Sequence, residues 1–358
     1  MSTCKKILVL NLGSTSTKIA IHNGCEMEKI ESVKHTAEEL VKFDSIWEQY
    51  DYRKSAILSV LDKWKVAIDD IGIIACRGGC IKPIPSGIYL ISQAMIDDMK
   101  SGKYGVHPTS LGNIITFDLG NQFYITALTV DTPATDEFCE EARFSGLPHI
   151  ARVSCFHALN QKATARKIAS EIGRNYEDLN IIVAHLGGGI SVGAHLKGKI
   201  VDANNALNGD GPFSPERAGS LPAGDLVELC VSGKYTEVEI KRMLTGGGGL
   251  VAYLNTTDAQ EVEKCIANGD KYAEQVYNAM IYQIAKEIGA CAAVLDGKVD
   301  AIALTGSIAY SDYLVGRLIK KISFIAKVYL NPGENEMQAL AEGAIRYHSG
   351  AEKLSEYN

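Results

Sequence analysis

Across its 358 residues the chain has no apolar run approaching the ~18 residues of a membrane-spanning helix, which argues against an α-helical membrane protein. It has no excess of basic charge. Lys and Arg number 36 against 43 Asp and Glu, a net charge of −7, so nucleic acid and anionic membrane are not expected partners. It has no disulfide framework either: nine cysteines, an odd count, are scattered from Cys4 to Cys291. The one close pair, Cys76 and Cys80, brackets Arg-Gly-Gly with no second pair to complete a zinc site. Such usage implies a reducing compartment and an expected cytoplasmic location. The stretch ILVLNL before Gly13 is too short for the apolar core of an export leader, and no low-complexity linker interrupts the chain. What is present, 46% apolar and 22% charged residues over a length suited to two domains, describes an ordinary globular protein.

The chain repeats itself. Residues 8–24, LVLNLGSTSTKIAIHNG, lie over residues 182–198, IVAHLGGGISVGAHLKG, without a gap at an offset of 174, close to half the length. Leu12 and Leu186, Gly13 and Gly187, Ala20 and Ala194, and Gly24 and Gly198 coincide. Both segments read as β-hairpins with a turn of small residues, and the second continues into a third strand, IVDAN. Further strands are expected at 71–75, 123–130, 300–305 and 324–330. Helices are expected at 155–172, 258–267, 272–295, 311–322 and 335–347, the longest with Val276, Met280, Ile284, Ile288 and Ala292 at steps of four. The pattern predicts an α/β fold made of two duplicated domains, with the halves meeting across a cleft.

The turn Gly13-Ser14-Thr15-Ser16-Thr17-Lys18 offers consecutive backbone N–H groups, hydroxyls and one ammonium, a combination suited to a phosphate chain. It is not a P-loop, because the Gly-x-x-x-x-Gly-Lys-[Ser/Thr] spacing is absent and a strand follows where a helix belongs. A plain hairpin turn is the simpler reading of one such segment. A second, at Gly187-Gly188-Gly189 in the duplicated half, favours a nucleotide held between two phosphate loops. A third glycine turn, Thr305-Gly306-Ser307, joins a strand to a helix and is equally an ordinary loop or a ligand-facing one. Gly246 to Gly249 reads as a helix-terminating loop.

The segments NLGSTSTK, AHLGGGISVGAH, FHALNQKATAR, NALNGDGPFSPERAGSLPAGDL and PGENEMQALAEGA together resemble the butyrate kinases of the acetokinase family, within the superfamily of acetate and sugar kinases, Hsp70 and actin. The likeness runs in order through essentially the whole chain. It implies two RNase H-like (actin-like ATPase) domains around a nucleotide cleft. Residues 1–155 would form the first, with the C-terminal helix 340–358 packed on it, and 156–339 the second. The activity implied is ATP-dependent, reversible phosphorylation of a short-chain carboxylate such as butanoate to its acyl phosphate. An isobutyrate kinase, a sugar kinase using an aspartate base and a non-metabolic actin-like ATPase are the alternatives. A homodimer or larger even oligomer and a Mg²⁺ requirement also follow from the resemblance.

Residue by residue, Arg77 and Arg217 match the two family arginines that grip substrate and migrating phosphoryl, and His157 the histidine that hydrogen-bonds the phosphoryl in flight. Ser154 is the expected cap of the His157 helix. Asn11, Asp131 and Glu336 match metal-side residues, Asp131 being counted among the catalytic residues as well. Asn11, Ser14, Ser16, Lys18, His185, Gly187, Gly188, Gly189 and Gly306 match nucleotide- and phosphate-side positions. His107 and Phe156 match residues near the acyl substrate. Unaided, Asp131 is equally a turn aspartate and Glu336 a first-turn glutamate answering the helix dipole. Gly188 stands where acetate kinases carry asparagine, which favours the butyrate branch. Leu12, Pro108, Ser307 and Tyr310 depart from the family pattern.

Overall fold

The computed structural model describes residues 5–357. They form two compact units: residues 5–136 with 335–357, and residues 137–334. The first contains β1 (Lys6–Leu12), β2 (Ser16–Asn23), β3 (Glu26–Lys34), β4 (Ile71–Cys76), β5 (Ile88–Leu90), β6 (Thr126–Val130) and β12 (Leu354–Ser355) in one sheet of order β12-β5-β6-β4-β1-β2-β3. Its helices are α1 (Ala37–Leu40), α2 (Tyr50–Trp64), α3 (Gln93–Ser101), α4 (Thr109–Phe123) and α12 (Glu336–His348). The second unit contains β7 (Asn180–Leu186), β8 (Ile190–Leu196), β9 (Lys199–Ala203), β10 (Ala301–Gly306) and β11 (Val328–Pro332) in the order β11-β10-β7-β8-β9. Its helices are α5 (Ala158–Ile172), α6 (Ala223–Val231), α7 (Glu237–Leu244), α8 (Leu250–Leu254), α9 (Ala259–Ala267), α10 (Lys271–Val294) and α11 (Asp312–Ile322).

The duplication is complete at the level of topology. In each unit a hairpin and its third strand run antiparallel, the first strand then pairs in parallel with a later one, and that strand with a still later one, so β3-β2-β1-β4-β6 repeats as β9-β8-β7-β10-β11. The third strand of the first copy, absent from the expectation, is an edge strand in which no residue is fully buried, EMEKIESVK in sequence, so its apolar signal is weak. The gap-free overlay also needs correction. Leu12 pairs with Thr17, but Leu186 pairs with Ile190, so the second turn is one residue shorter and the offset falls from 174 to 173 on the second strand. With that shift His22 aligns with His195. Both are buried, and both follow a bulge, between Ile21 and His22 and between Ala194 and His195.

Local chemistry explains the element ends. Asp270 caps α10 by accepting from the N–H groups of Tyr272 and Ala273, and Val276, Met280, Ile284, Ile288 and Ala292 are all buried on one stripe. β7 is buried at every position, as expected of a strand covered on both faces. The strand expected at 123–130 starts at Thr126, because Phe123 ends α4 and Tyr124 caps it in the left-handed region. The strand expected at 324–330 lies at 328–332, where its register with Ile302 to Gly306 is set.

The division expected after residue 155 falls inside the second unit. Residues 137–156 belong there because Cys139 N–H donates to Val201 O, Glu137 accepts from Ile200 N–H, and Phe138 stacks on Phe156. The return to the first unit comes at Asn335, ahead of the expected 340, since α12 packs whole against β1, β4 and β6. Gly343 sets that contact: an added Cβ would stand 2.6 Å from the Val130 methyls.

Candidate active site

In the first unit, Asn11, Arg77 and Asp131 lie at the carboxyl ends of three adjacent parallel or hairpin-linked strands, β1, β4 and β6, where open α/β sheets bind ligands. The N-terminus of α12 adds Glu336. Its carboxylate accepts from Asn11 Nδ2 at 2.6 Å and lies 3.2 Å from Arg77 Nη1, so these three side chains form one cluster. Lys18 stands directly across the hairpin from Asn11, and its ammonium has no ion-pair partner among the described residues. Asp131 is buried at φ 40°, and its Oδ1 accepts from Gly87 N–H at 3.0 Å while its own N–H donates to Gly87 O. Ser14 and Ser16 flank the turn. Ser14 Oγ is 3.5 Å from His107 Nε2, whose Nδ1 accepts from Thr109 N–H, so the neutral ring carries its proton on Nε2 and points it at the serine. Burial, then the Arg77 and Arg53 charges, hold His107 below the ordinary imidazole value.

The second unit repeats the arrangement with other residues. His185 lies one residue before the end of β7; its Nδ1 meets Asn160 Oδ1 at 2.8 Å and its Nε2 lies 3.5 Å from Glu334. The His157 ring stacks on it, with centroids 3.8 Å apart and planes 10° from parallel. Gly187 to Gly189 form the turn. Ser214 Oγ donates to Gly188 O at 2.5 Å, and a Cβ at Gly189 would overlap the Arg217 guanidinium, so only glycine admits that arginine. Arg217 Nη1 donates to Ala206 O, its Nη2 lies 3.7 Å from Glu216, and its buried Nε has no hydrogen-bond partner. Gly246 to Gly249, expected as a plain helix terminator, brace this segment: Arg217 bridges Thr245, and a Cβ at Gly249 would overlap Ser214 O.

A chain of buried hydrogen-bonding side chains leads to His157. Gln161 Nε2 lies 3.2 Å from Ser191 O, which only accepts, so the amide orientation is determined. Gln161 Oε1 then accepts from His195 Nε2–H at 3.1 Å, and Tyr176 O–H donates to His195 Nδ1 at 2.7 Å. Burial holds His195 well below the ordinary imidazole value, which suits this neutral ring. Ser191 Oγ accepts from Gln161 Nε2 and lies 2.9 Å from His157 Nδ1. With the Ser191 proton directed at Nδ1, the neutral His157 ring carries its hydrogen on Nε2. His157 itself caps α5, three residues beyond the expected Ser154 cap.

Gly306, at φ 89°, is packed so closely on Leu186 O that a side chain would not fit, and its N–H and C=O pair with Gly333. Beside it opens a cavity of 730 Å³ bordered by Gly188, Glu216, Asp258, Glu263, Ser307 and Tyr310, a size suited to a nucleoside. Phe156 packs with Phe138, Ala142, Ala158, Ile200 and Ala203 as part of a small core cluster. Pro108 occupies the cap position of α4, and Leu12 is buried against Gly112 of the same helix. Sequence reading missed Arg53, Asn160, Gln161, Ser191 and Glu334. Gln161 could have been found, since it lies one helical turn beyond His157; Arg53 carries no motif.

An acetokinase family model matches residues 146–350. Butyrate kinase 2 of Clostridium acetobutylicum is 51% identical over 352 residues, 98% of this chain and 99% of that protein. Among solved structures, Porphyromonas gingivalis acetate kinase superposes with a TM-score of 0.75 at 19% identity, covering 95% of this chain and 99% of its own. A propionate kinase from Francisella tularensis gives 0.75 at 18%, covering 94% and 98%. The fold is that of the actin-like ATPases. With half the residues shared along nearly the full length of a relative, and the same duplicated topology in the solved kinases, the chain belongs to the acetokinase family.

Proposed function

We propose that the protein transfers the terminal phosphoryl group of ATP reversibly to a short-chain carboxylate, with butanoate as the preferred acid. The observation that carries this reading is the likeness to a butyrate kinase over 98% of the chain. The nucleophile needs no general base, because a carboxylic acid with a pKa near ~4 to 5 is already ionised at pH 7. What opposes reaction is repulsion between two anions, and the remedy is positioned positive charge. Arg77 supplies it toward the carboxylate and Arg217 toward the migrating phosphoryl, each able to offer parallel N–H donors. His157 donates from Nε2–H to a phosphoryl oxygen, with Ser191 holding the opposite nitrogen. The turns at 13–16 and 187–189 take the phosphate chain, with Lys18 beside the first. The cavity bordered by Ser307 and Tyr310 takes the nucleoside. His107 and Phe156 are assigned to the acyl end.

The residues present suit Mg²⁺. Asn11 spends its amide N–H on Glu336, which leaves its oxygen as a hard donor next to that carboxylate. Mg²⁺ commonly keeps waters and phosphate oxygens as ligands beside one or two carboxylates. Asn11, Glu336 and Asp131 are the residues that would hold it. When bound, it neutralises phosphate charge. A homodimer, possible in larger even assemblies, completes the proposal. Among the described residues no helix is long and apolar enough to cross a membrane.

The test is acyl phosphate trapping with hydroxylamine, using ATP, Mg²⁺ and acids of two to six carbons. Acids of three to five carbons are expected to exceed acetate in kcat/KM, butanoate by roughly tenfold or somewhat more for its two further methylenes at ~0.8 kcal/mol each. A maximum at acetate would reassign the acid, and no trapped product with any acid would remove the reaction class.

A further inference from the structure

Arg53, on α2, is fully buried, and every hydrogen bond it makes is to a neutral group. Its Nε donates to Gln49 Oε1 at 3.0 Å. Nη1 donates to Gly13 O at 2.9 Å, Ser16 O at 3.3 Å and Thr17 Oγ1 at 3.4 Å, and Nη2 donates to Ser14 O at 2.9 Å. Burial draws its pKa down, yet a guanidinium keeps its proton at any physiological pH. Buried charges are ordinarily paired, and no carboxylate pairs with this one among the described residues.

The guanidinium also decides which way the turn faces. In a trans peptide the C=O and the following N–H point in opposite directions. With the Gly13 and Ser14 carbonyls turned inward to Arg53, the N–H groups of Ser14 and Thr15 are turned outward. Both residues are exposed, and neither N–H has a hydrogen-bond partner among the described residues. His35 N–H holds Thr15 O at 2.9 Å, so a third carbonyl is anchored as well. Two outward N–H groups in succession over a buried cation form an anion-binding concavity.

We propose that Arg53 is a positioning residue that makes the 13–16 turn a cradle for phosphate, and that a phosphate oxyanion is the counter-ion its guanidinium lacks. This rests on the carboxylate kinase reading only in naming the anion as part of ATP. The side chain touches no substrate; it acts through the peptide groups and the field behind them.

The experiment compares the wild type, Arg53→Met and Arg53→Lys, measuring the rise in thermal midpoint on adding inorganic pyrophosphate, the Kd for adenosine, and the KM values for ATP and butanoate. In Arg53→Met the pyrophosphate-induced rise is expected to vanish and the KM for ATP to increase at least tenfold, while adenosine affinity and the KM for butanoate stay within twofold. Arg53→Lys keeps the charge and loses the fork, so it should recover part of the pyrophosphate response with a KM for ATP at least threefold above wild type. A purely structural arginine would lower the midpoint of the free protein and leave the ligand-induced rise and the KM for ATP as in wild type. That result in either variant overturns the proposal. Should Arg53→Met not fold, Arg53→Lys decides alone: a KM for ATP and a pyrophosphate response equal to wild type would overturn it. Wild-type protein that forms no acyl phosphate but shows a pyrophosphate response lost in Arg53→Met would sink the kinase reading and leave the cradle standing.

Discussion

Arg77 and Arg217 are held in unlike ways. Arg77 is paired with Glu336 at 3.2 Å, whereas Arg217 rests on a glycine and a backbone carbonyl, with Glu216 at 3.7 Å and its Nε unpartnered. Truncating either to Ala removes a cation proposed to face charge in the transition state, and kcat is expected to fall at least ~10²-fold. Steady-state kinetics on folded variants check this, and near-wild-type turnover in either would withdraw its assignment. Ser191 works one bond further out. Ser191→Ala removes the hydroxyl 2.9 Å from His157 Nδ1, and with it the contact expected to favour the Nε2–H tautomer. The expected loss is about tenfold in kcat, the scale of one hydrogen bond at ~1.4 kcal/mol, with KM values unchanged. Imidazole ¹⁵N shifts should move from the Nε2–H form toward a mixture. Unaltered shifts would show that Ser191 does not control the ring.

At the scale of elements, α10 carries the longest apolar stripe among the described helices and also a misplaced charge. Glu287 lies on this helix, and burial, reinforced by Asp210 and Asp202 and opposed by Arg152 and Lys286, pushes its carboxyl up to about 7 from an ordinary 4.5. The folded state thus binds this proton more tightly than the unfolded chain. Its contribution to stability is full below pH 4.5 and is lost as pH rises through about 7. Glu287→Gln is therefore expected to raise the thermal midpoint at pH 8.5, by roughly 1 to 3 kcal/mol of stability, and to change little near pH 4.5. Melting curves across that range test it; equal gains at both ends would mean that ionisation is not the cause. The hairpins show a related dependence on surroundings. One residue fewer in the second turn carries Ser191, not its neighbour, to the position across from His185, and the whole Gln161 network depends on that register.

For the molecule as a whole, two-fold closure is the commonest assembly of such enzymes, and light scattering is expected to report twice the 38.7 kDa chain mass. A monomer at working concentration would remove the dimer. The duplicated architecture was legible before any coordinates because it rests on local signals: apolar strands, glycine turns and helical periodicity recur wherever the same short segments recur. The family motifs singled out His157, Arg217 and Glu336 as candidates, since each stands in a long run of matching neighbours, and Arg77 as another from the short ACRGG. The tertiary structure alone decided the rest. The boundaries moved because Phe138 and α12 find their packing partners far away in sequence. Arg53 reads as one more helix-surface arginine until the fold buries it beneath a turn some forty residues earlier. The proton on His157 depends on a chain of donors drawn from α5, β8 and the segment before β7. Period and turn chemistry are properties of adjacent residues, whereas burial of a charge, strand register and imidazole tautomer are set by groups that only folding brings within hydrogen-bond reach.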